Sequence, residues 1–347
     1  MAKWPNVPQF CYRSGDINLN LNHSTETKLD SLLKKRWENA QSSGVFRYAL
    51  NIQDAKVLPG KYGFFVQVNE ERASLRRKPQ AIQQINCPFD PTLFNFTHLK
   101  EEEILFSLKY EAESEQISSY VAVNASPLEY GHSLLLPSLE DCHPQVINEN
   151  GLTLALTFML ISGSLDLRVG FNGLCAFASV NHQHYHAYYL KNRMLLERIA
   201  VHHLRGPCFE LREYPAEGFA FQLLELDVNS FVRSVLTLTN YLQENGIAHN
   251  LFLTRGTEFK DHEKAESLVN GKNIVRVYVW ARKPTHGAKE VEAFNPALCE
   301  LFGHFPIKSV ESYKKITEEF VSEVLHDICH EVFLSVRDKV ALLFSES

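Results

Sequence analysis

The 347-residue chain has no long apolar run, no excess of basic charge and no paired cysteine motif, and each absence removes a class of function. Its longest nearly apolar stretch, Leu152 to Ile161, is too short to cross a bilayer and predicts a buried helix, so no membrane role follows. No apolar signal-peptide core follows Met1-Ala2-Lys3-Trp4-Pro5, which gives the expectation of a cytoplasmic protein. The net charge of -6 argues against a general nucleic-acid binder, because backbone phosphates demand a basic surface. The seven cysteines, Cys11, Cys87, Cys142, Cys175, Cys208, Cys299 and Cys329, are scattered, odd in number and without a Cys-x-x-Cys pair. They read as free thiols in a reducing compartment. At 45% hydrophobic, the chain can bury a full core in one large or two modest domains.

What is present is a row of histidines in Asn181-His182-Gln183-His184-Tyr185-His186. The aromatic and β-branched residues around it favour a strand, which would project His182, His184 and His186 from one face. Three imidazoles in a row are costly in a core unless every ring nitrogen finds a partner. Two chemistries use such a row: a metal site built from neutral imidazoles, and nucleophilic catalysis on a phosphate, one ring attacking while others orient the oxygens. A surface strand that merely carries histidines is the third reading. Phosphate chemistry suits the row best.

Along the chain, residues 1–44 read as an extension with a helix over Lys28 to Gln41. Strands are expected at Phe46 to Ile52 and Phe64 to Asn69, with Pro59-Gly60 marking a turn between them. The most basic segment, Asn69 to Pro79, is either a solvated loop or a source of phosphate contacts through Arg72, Arg77 or Lys78. Glu101 to Glu111 reads as a charged connector. Tyr120 to Pro137 has a hairpin pattern whose polar turn holds Asn124, Ser126 and His132. After the Leu152 to Ile161 helix come a strand at Leu167 to Asn172 and the small-residue segment Gly173 to Val180, where backbone amides and Ser179 could approach an anion. Asn192 to Ala200 reads as helix, Arg212 to Leu226 as strand, and Val228 to Asn245 as an amphipathic helix stopped by Gly246. A strand pair, His249 to Gly256 and Asn273 to Trp280, and helix from Ser312 to Val340 complete the chain. The second half repeats the proportions of the first without a second histidine row, so an internal duplication with one live site is expected.

Gly131-His132-Ser133-Leu134-Leu135-Leu136-Pro137 together with Asn181 to His186 resembles the histidine-triad superfamily. More narrowly, the chain is similar to the GDP-hexose phosphorylases, whose animal members act on GDP-D-glucose and plant members on GDP-L-galactose. The likeness extends to Leu58 to Phe64, Pro88-Phe89-Asp90, Phe94 to Thr97, Asn124 to Pro137, Arg168 to Leu190, Asn295-Pro296-Ala297 and Gly303-His304, most of the chain from about Val45 to Pro306.

The resemblance implies an α+β fold: a histidine-triad-like antiparallel sheet with flanking helices, in two halves of which only the first carries the triad. It suggests an extension over 1–44, a catalytic half over 45–200 and a degenerate half over 201–347. It implies a transferase in which inorganic phosphate cleaves a GDP-hexose to GDP and hexose 1-phosphate, with no cofactor and no metal. His184 would attack the phosphorus attached to guanosine to form a guanylyl-histidine, with His182 and His186 flanking the phosphates. Asn124 would meet the ribose, His132 and Asn172 would lie near the site, and Ser179 would contact phosphate, beside Arg72 from the basic segment. Where the resembled plant enzymes carry Gln, this chain has His186, the residue of the hydrolase branch. A third imidazole could pass a proton to water, so a hydrolase releasing GMP is an alternative, as is a guanine-nucleotide-binding protein without catalysis. Oligomeric state stays open, although two like halves would let a monomer mimic a dimer.

Overall fold

The computed structural model describes residues 3–77, 80, 82–111, 119–259, 272–285 and 292–345. Its elements, in chain order, are β1 (Gln9–Tyr12), α1 (Lys28–Ser42), β2 (Asp54–Val57), β3 (Phe65–Val68), α2 (Glu70–Leu75), β4 (Ile104–Tyr110), β5 (Ser119–Val123) and β6 (Ser133–Leu136). There follow α3 (Glu149–Ile161), β7 (Leu167–Asn172), β8 (Tyr185–Tyr189), β9 (His202–Arg205), β10 (Cys208–Leu211), β11 (Gly218–Leu223) and α4 (Val228–Glu244). The last are β12 (His249–Thr257), β13 (Asn273–Ala281), α5 (Leu298–Phe302), β14 (His304–Ile307), α6 (Val310–Lys315) and α7 (Glu318–Leu343). No helix among the described residues is long and apolar enough to cross a membrane.

Eleven strands form one sheet in the order β1-β4-β5-β6-β8-β7-β12-β13-β11-β10-β9, and β14-β3-β2 form a second. The large sheet contains the duplication. The series β4-β5-β6-α3-β7-β8 and β9-β10-β11-α4-β12-β13 have the same order of elements and the same neighbours, and all pairs within each are antiparallel. The repeats join through β7 and β12, from Asn172 opposite Asn250 to Arg168 opposite Thr254. The α+β class and the antiparallel sheet with flanking helices are thus as expected, apart from β1, which joins the sheet parallel to β4.

Alternation along the strands divides the core. In β8, Tyr185, Ala187 and Tyr189 face the layer built on α1, α3, α4 and the second half of α7. His186 and Tyr188 face the opposite side, where β3, α5, β14 and the first half of α7 pack. At β13 the same division sends Val275, Val277 and Val279 to the helices and Arg276, Tyr278 and Trp280 to the other face, so the second repeat has no histidine row. The α3 helix is apolar nearly all round because it is covered on most sides, whereas α4 buries only one stripe, including Phe231, Val235, Leu238 and Leu242.

Several expectations fail for identifiable reasons. Phe46 to Ile52 forms no strand: Phe46 packs on Trp37 with ring centroids 5.0 Å apart, and the segment covers α1 instead of pairing. The charged connector over 101–111 is mostly β4, whose Ile104, Phe106 and Leu108 are buried behind an acidic lead-in. Residues 192–200 hold only a turn of 3₁₀ helix, Leu195–Glu197. The terminal helix is interrupted at Ile316, where the chain is extended, and restarts under the Thr317 cap as α7. The short strands β1, β9, β10 and β14 have no strong signal of their own; Pro306 sits in β14 because that strand lies at a sheet edge.

Asp30 ties α1 to the sheet. Its fully buried carboxylate accepts from Thr27 N (3.1 Å) as half of a capping box, and from Ser162 Oγ (2.6 Å), Gly163 N (3.0 Å) and Tyr189 OH (2.8 Å). Removing it strands several buried donors at once, each costing roughly 1–3 kcal/mol. Asp30→Ala is expected to lower unfolding free energy by about 3 kcal/mol in urea titration, and Asp30→Asn by less. A loss below about 0.5 kcal/mol for the alanine variant would show that water replaces the carboxylate.

Candidate active site

The histidine row is not a regular strand throughout. Only His186 lies in β8; residues 181–184 form an irregular lead-in held mostly by side chains in place of a neighbouring strand, with one backbone bond from Gln183 N to His143 O (2.9 Å). Gln145 supplies the missing pairing: its Oε1 accepts from His184 N (2.8 Å), and its Nε2 donates to His184 O (3.0 Å) and Asn172 O (2.9 Å). Asn181 accepts from Gln145 N (2.9 Å) and donates to Pro88 O (2.8 Å) and Cys87 O (3.1 Å). Gln183 Nε2 donates to Val146 O (2.6 Å). The preceding loop turns at Gly173, where a Cβ would fall 2.6 Å from His249 O, and carries Cys175 and Phe177 at φ 58° and 71°. Side chains other than glycine occupy that left-handed region at a cost, and here it aims the loop back over the cavity.

A cavity of about 380 Å³ opens beside these residues, lined by His132, His184, His186, Asn124, Asn172, Ser179 and Arg72 among others. The tautomers follow from geometry. His184 Nδ1 lies 2.8 Å from the carbonyl of His182, which can only accept, so Nδ1 carries the proton and Nε2 keeps its lone pair. His132 Nδ1 accepts from Leu128 N (3.0 Å), which puts that ring's proton on Nε2. From there it reaches His186 Nδ1 at 3.1 Å, because the other neighbour, Asn124 Nδ2 at 3.2 Å, cannot accept. His186 therefore carries its own proton on Nε2. One ring presents a lone pair and the next, 5.1 Å away between centroids, presents a donor.

Burial keeps these rings neutral. His184, 2% exposed, has its pKa pushed down to about 4 by desolvation, and His132 and His186 are held well below the usual imidazole range. For both of the latter, desolvation comes first and nearby positive charge, including Arg72, adds to it. Arg72 donates to the carbonyl of Ser126 and to Tyr48 OH (3.3 Å), which fixes its charge at the cavity wall.

Further hydrogen-bond donors and positive charges line the same space. Asn172 Oδ1 accepts from Asn250 Nδ2 (2.7 Å) and Leu298 N (3.1 Å), an arrangement that leaves its Nδ2 as the cavity-facing donor. In the small-residue loop, Ala176 N and Ala178 N are both spent on Gly173 O (3.0 and 3.2 Å). The intervening Phe177 N and Ser179 N have no hydrogen-bond partner among the described residues, nor has Ser179 Oγ. Arg76, Arg77 and Lys308 add positive charge to the lining. Arg77 lies over the Phe94 ring at 3.3 Å from its centroid, and Lys78 lies outside the described residues.

The structure corrects two expectations. His182 is not among the residues lining the cavity: its Nδ1 accepts from Phe96 N (3.1 Å), the Leu139 carbonyl engages it as well, and its ring packs on Phe96 and Phe89. Its contribution is the carbonyl that orients His184. Nor does the row lie on a surface strand, since His182 and His184 are buried. Asn124 reaches the cavity but is also committed, its Oδ1 accepting from Ser126 N (3.0 Å). Sequence reasoning missed Gln145, Asn250 and Glu300. The last is a cavity-lining carboxyl pushed up to about 7 by burial, and it accepts from Ala297 N (3.0 Å). No local pattern marks an isolated Gln, Asn or Glu as such a partner; Gln145 is separated from His184 by 39 positions.

These depressed values have a consequence for stability. Below the unfolded histidine pKa of about 6.5, the unfolded chain binds protons that His182 and His184 refuse until about pH 4, so stability is full above pH 6.5 and is lost as pH falls toward 4. Each such ring contributes a slope of up to about 1.4 kcal/mol per pH unit in that window. Urea unfolding at pH 7.5, 6 and 5 is expected to show the midpoint unchanged at first and then falling steeply. A flat midpoint down to pH 5 would mean that the rings take up protons without resistance.

Comparison with known proteins accords with this geometry. The family profile described as "GDPGP1-like, N-terminal domain" matches residues 28–188, and "GDPGP1-like, C-terminal domain" matches residues 192–341. The chain is 40% identical over 303 residues to GDP-D-glucose phosphorylase 1 of Danio rerio, covering 86% of each chain. It is 31% identical over 349 residues to GDP-L-galactose phosphorylase 2 of Arabidopsis thaliana, covering 91% of this chain and 77% of that one. Among solved structures it resembles yeast Ap4A phosphorylase Apa2 in complex with AMP, with a TM-score of 0.61 at 15% identity, over 88% of this chain and 97% of that one. At that identity the likeness speaks for the fold. With both halves matched in order and relatives aligned over most of their length, the chain belongs to the GDPGP1-like family.

Proposed function

We propose that this chain is a GDP-D-glucose phosphorylase, converting GDP-D-glucose and inorganic phosphate to GDP and glucose 1-phosphate. The observation that carries the reading is the His184 ring, fixed by its Nδ1–H bond to His182 O so that the Nε2 lone pair serves the cavity. The names of the relatives, GDP-D-glucose phosphorylase 1 at 40% identity above all, supply the substrate. His184 Nε2 attacks the phosphorus that bears guanosine, forming a P–N bond while the P–O bond to the hexose phosphate breaks and glucose 1-phosphate departs with that oxygen. An oxygen of inorganic phosphate then attacks the same phosphorus, the P–N bond breaks, and GDP forms as the imidazole is restored.

The leaving group is a phosphate and a weak base, so charge stabilisation matters more than protonation. His186 Nε2–H, Asn172 Nδ2–H, Ser179 and Arg72 supply it from separate directions. His132 and Asn124 act at one remove, by setting the tautomer of His186 and the turn around it. Residues 45–200 would be the catalytic half and 201–347 a degenerate half that completes the sheet, with the extension over 1–44 supplying α1 to the helical layer. Seven unpaired cysteines fit a cytoplasmic setting. No cofactor or metal enters this scheme.

A second reading, hydrolysis to GMP, draws support from His186, whose ring can assist water as acceptor. Incubation of pure protein with GDP-D-glucose, with and without inorganic phosphate, separates the two. Phosphate-dependent GDP and glucose 1-phosphate support the phosphorylase, and phosphate-independent GMP supports the hydrolase. His184→Ala is expected to lower turnover by at least about 10³-fold while keeping a cooperative unfolding transition. His186→Gln retains a side-chain N–H donor and is expected to keep phosphorolysis within about tenfold, whereas His186→Ala falls further. Full activity of His184→Ala would refute the covalent scheme.

A further inference from the structure

Away from the catalytic cavity, a concavity of about 400 Å³ lies between the Lys61-Tyr62 turn, the Arg212–Glu217 loop leading into β11, and the first half of α7. From α7, Ser322, His326 and His330 line it at intervals of four residues, which stacks them along one helix face. The two imidazoles lie with centroids 4.2 Å apart and planes 28° from parallel. Glu217, the residue before β11, meets His330 at Nδ1. One ligand atom from each of Glu217, His326 and His330 falls within 4.8 Å of the others.

Two histidines one helical turn apart and a carboxylate from a separate segment match what zinc and its neighbours in the transition series prefer, with bonds of about 2.0–2.2 Å. A second observation points into the same space. Ser322 Oγ is a buried polar atom without a hydrogen-bond partner among the described residues, and Ser322 lines the concavity. A metal-bound water would satisfy a group of this kind. Charge favours a cation over an anion, because Glu213, Glu217 and Glu323 outnumber Lys61 and Arg212, and each base already faces a carboxylate: Lys61 Nζ is 3.9 Å from Glu213 and Arg212 Nη2 is 2.5 Å from Glu210.

We propose that Glu217, His326 and His330 form a binding site for a divalent transition-metal ion, zinc in the first instance, with a remaining position open to water. The ion displaces the proton shared between His330 and Glu217 and joins α7 to the loop entering β11. The site has no part in phosphorolysis; it is a clamp on the C-terminal helix, which spans both layers of the core.

The test uses full-length, tag-free protein treated with chelator and titrated with zinc chloride by calorimetry, followed by thermal unfolding. Wild type is expected to bind one equivalent saturably and to gain about 3–5 °C in melting temperature at a hundredfold excess over Kd. His326→Ala, which removes an exposed ring, should lose at least about tenfold in affinity and most of the thermal shift, with phosphorolysis unchanged. Glu217→Gln should weaken binding similarly. Cobalt substitution reads the coordination itself, through visible ligand-field bands that wild type gains and His326→Ala does not. Because Glu217→Gln and His330→Ala also break a native contact, His326→Ala decides. Equal zinc affinity and equal thermal shifts in wild type and His326→Ala, or no saturable binding by wild type, would overturn the proposal.

Discussion

The 2.8 Å hydrogen bond from His184 Nδ1 to the carbonyl of His182 governs the rest of the site, and it is a bond within one short stretch of chain. An imidazole aimed by its own neighbour needs that neighbour's backbone held still. Backbone amides in an extended segment are held by a partner strand in the ordinary case, but β8 begins only at Tyr185. Gln145 closes the gap, binding both backbone groups of His184, while Asn181 holds the start of the segment to the chain at Cys87 and Pro88. The His184 ring is therefore oriented by amide side chains that carry no charge and cannot titrate, and its geometry does not change with pH until the rings themselves protonate.

Gathering His132, His184, His186 and His304 in one buried region sets up a repulsion that neutrality avoids. A proton on His132 or His186 would face Arg72 and neighbouring imidazoles, and one on His304 would face Arg168 and Arg72, in a weakly screening interior, which is why desolvation and positive neighbours depress these three together. In the proposed reaction the same field serves an incoming substrate. A diphosphate ester brings the negative charge that the cavity lacks, so Arg72 and the cavity-facing N–H groups gain partners without any of them having to move far. The cost of assembling uncompensated donors is borne by the folded state when empty and relieved on binding.

Much of this was legible in the chain. The histidine row, the hairpin holding His132, the apolar helix and the duplicated proportions all follow from alternation and periodicity, because a strand face or a helix stripe repeats over neighbouring residues. The role of His182 did not follow, since alternation says which face a side chain takes but not whether a backbone amide such as Phe96 N will meet it. Gln145, Asn250 and Glu300 were invisible for the same reason: each acts through contacts far along the chain, and a lone polar residue has no pattern. Of the missed strands, β1, β2, β9, β10 and β14 are each four residues long, short enough that pairing with a neighbour, not intrinsic preference, decides their form.

The two repeats show how one topology supports a site once and a scaffold once. On the face where β8 turns His186 toward the cavity, β13 carries Arg276, Tyr278 and Trp280. Arg276 spends its guanidinium on the carbonyls of Thr257, Leu196 and Ile199, and Tyr278 OH donates to Leu196 O at 2.6 Å. Those bonds tie down the chain between the repeats, Leu195 to Ile199, which carries little regular structure of its own. A histidine row there would surrender those anchors, and a second Arg276 in place of His186 would fill the cavity with a charge that has no carbonyls to meet. The asymmetry follows from use: the second repeat uses the equivalent face for interior hydrogen bonding, and the first leaves its face short of partners, which in the proposed reaction a phosphate provides.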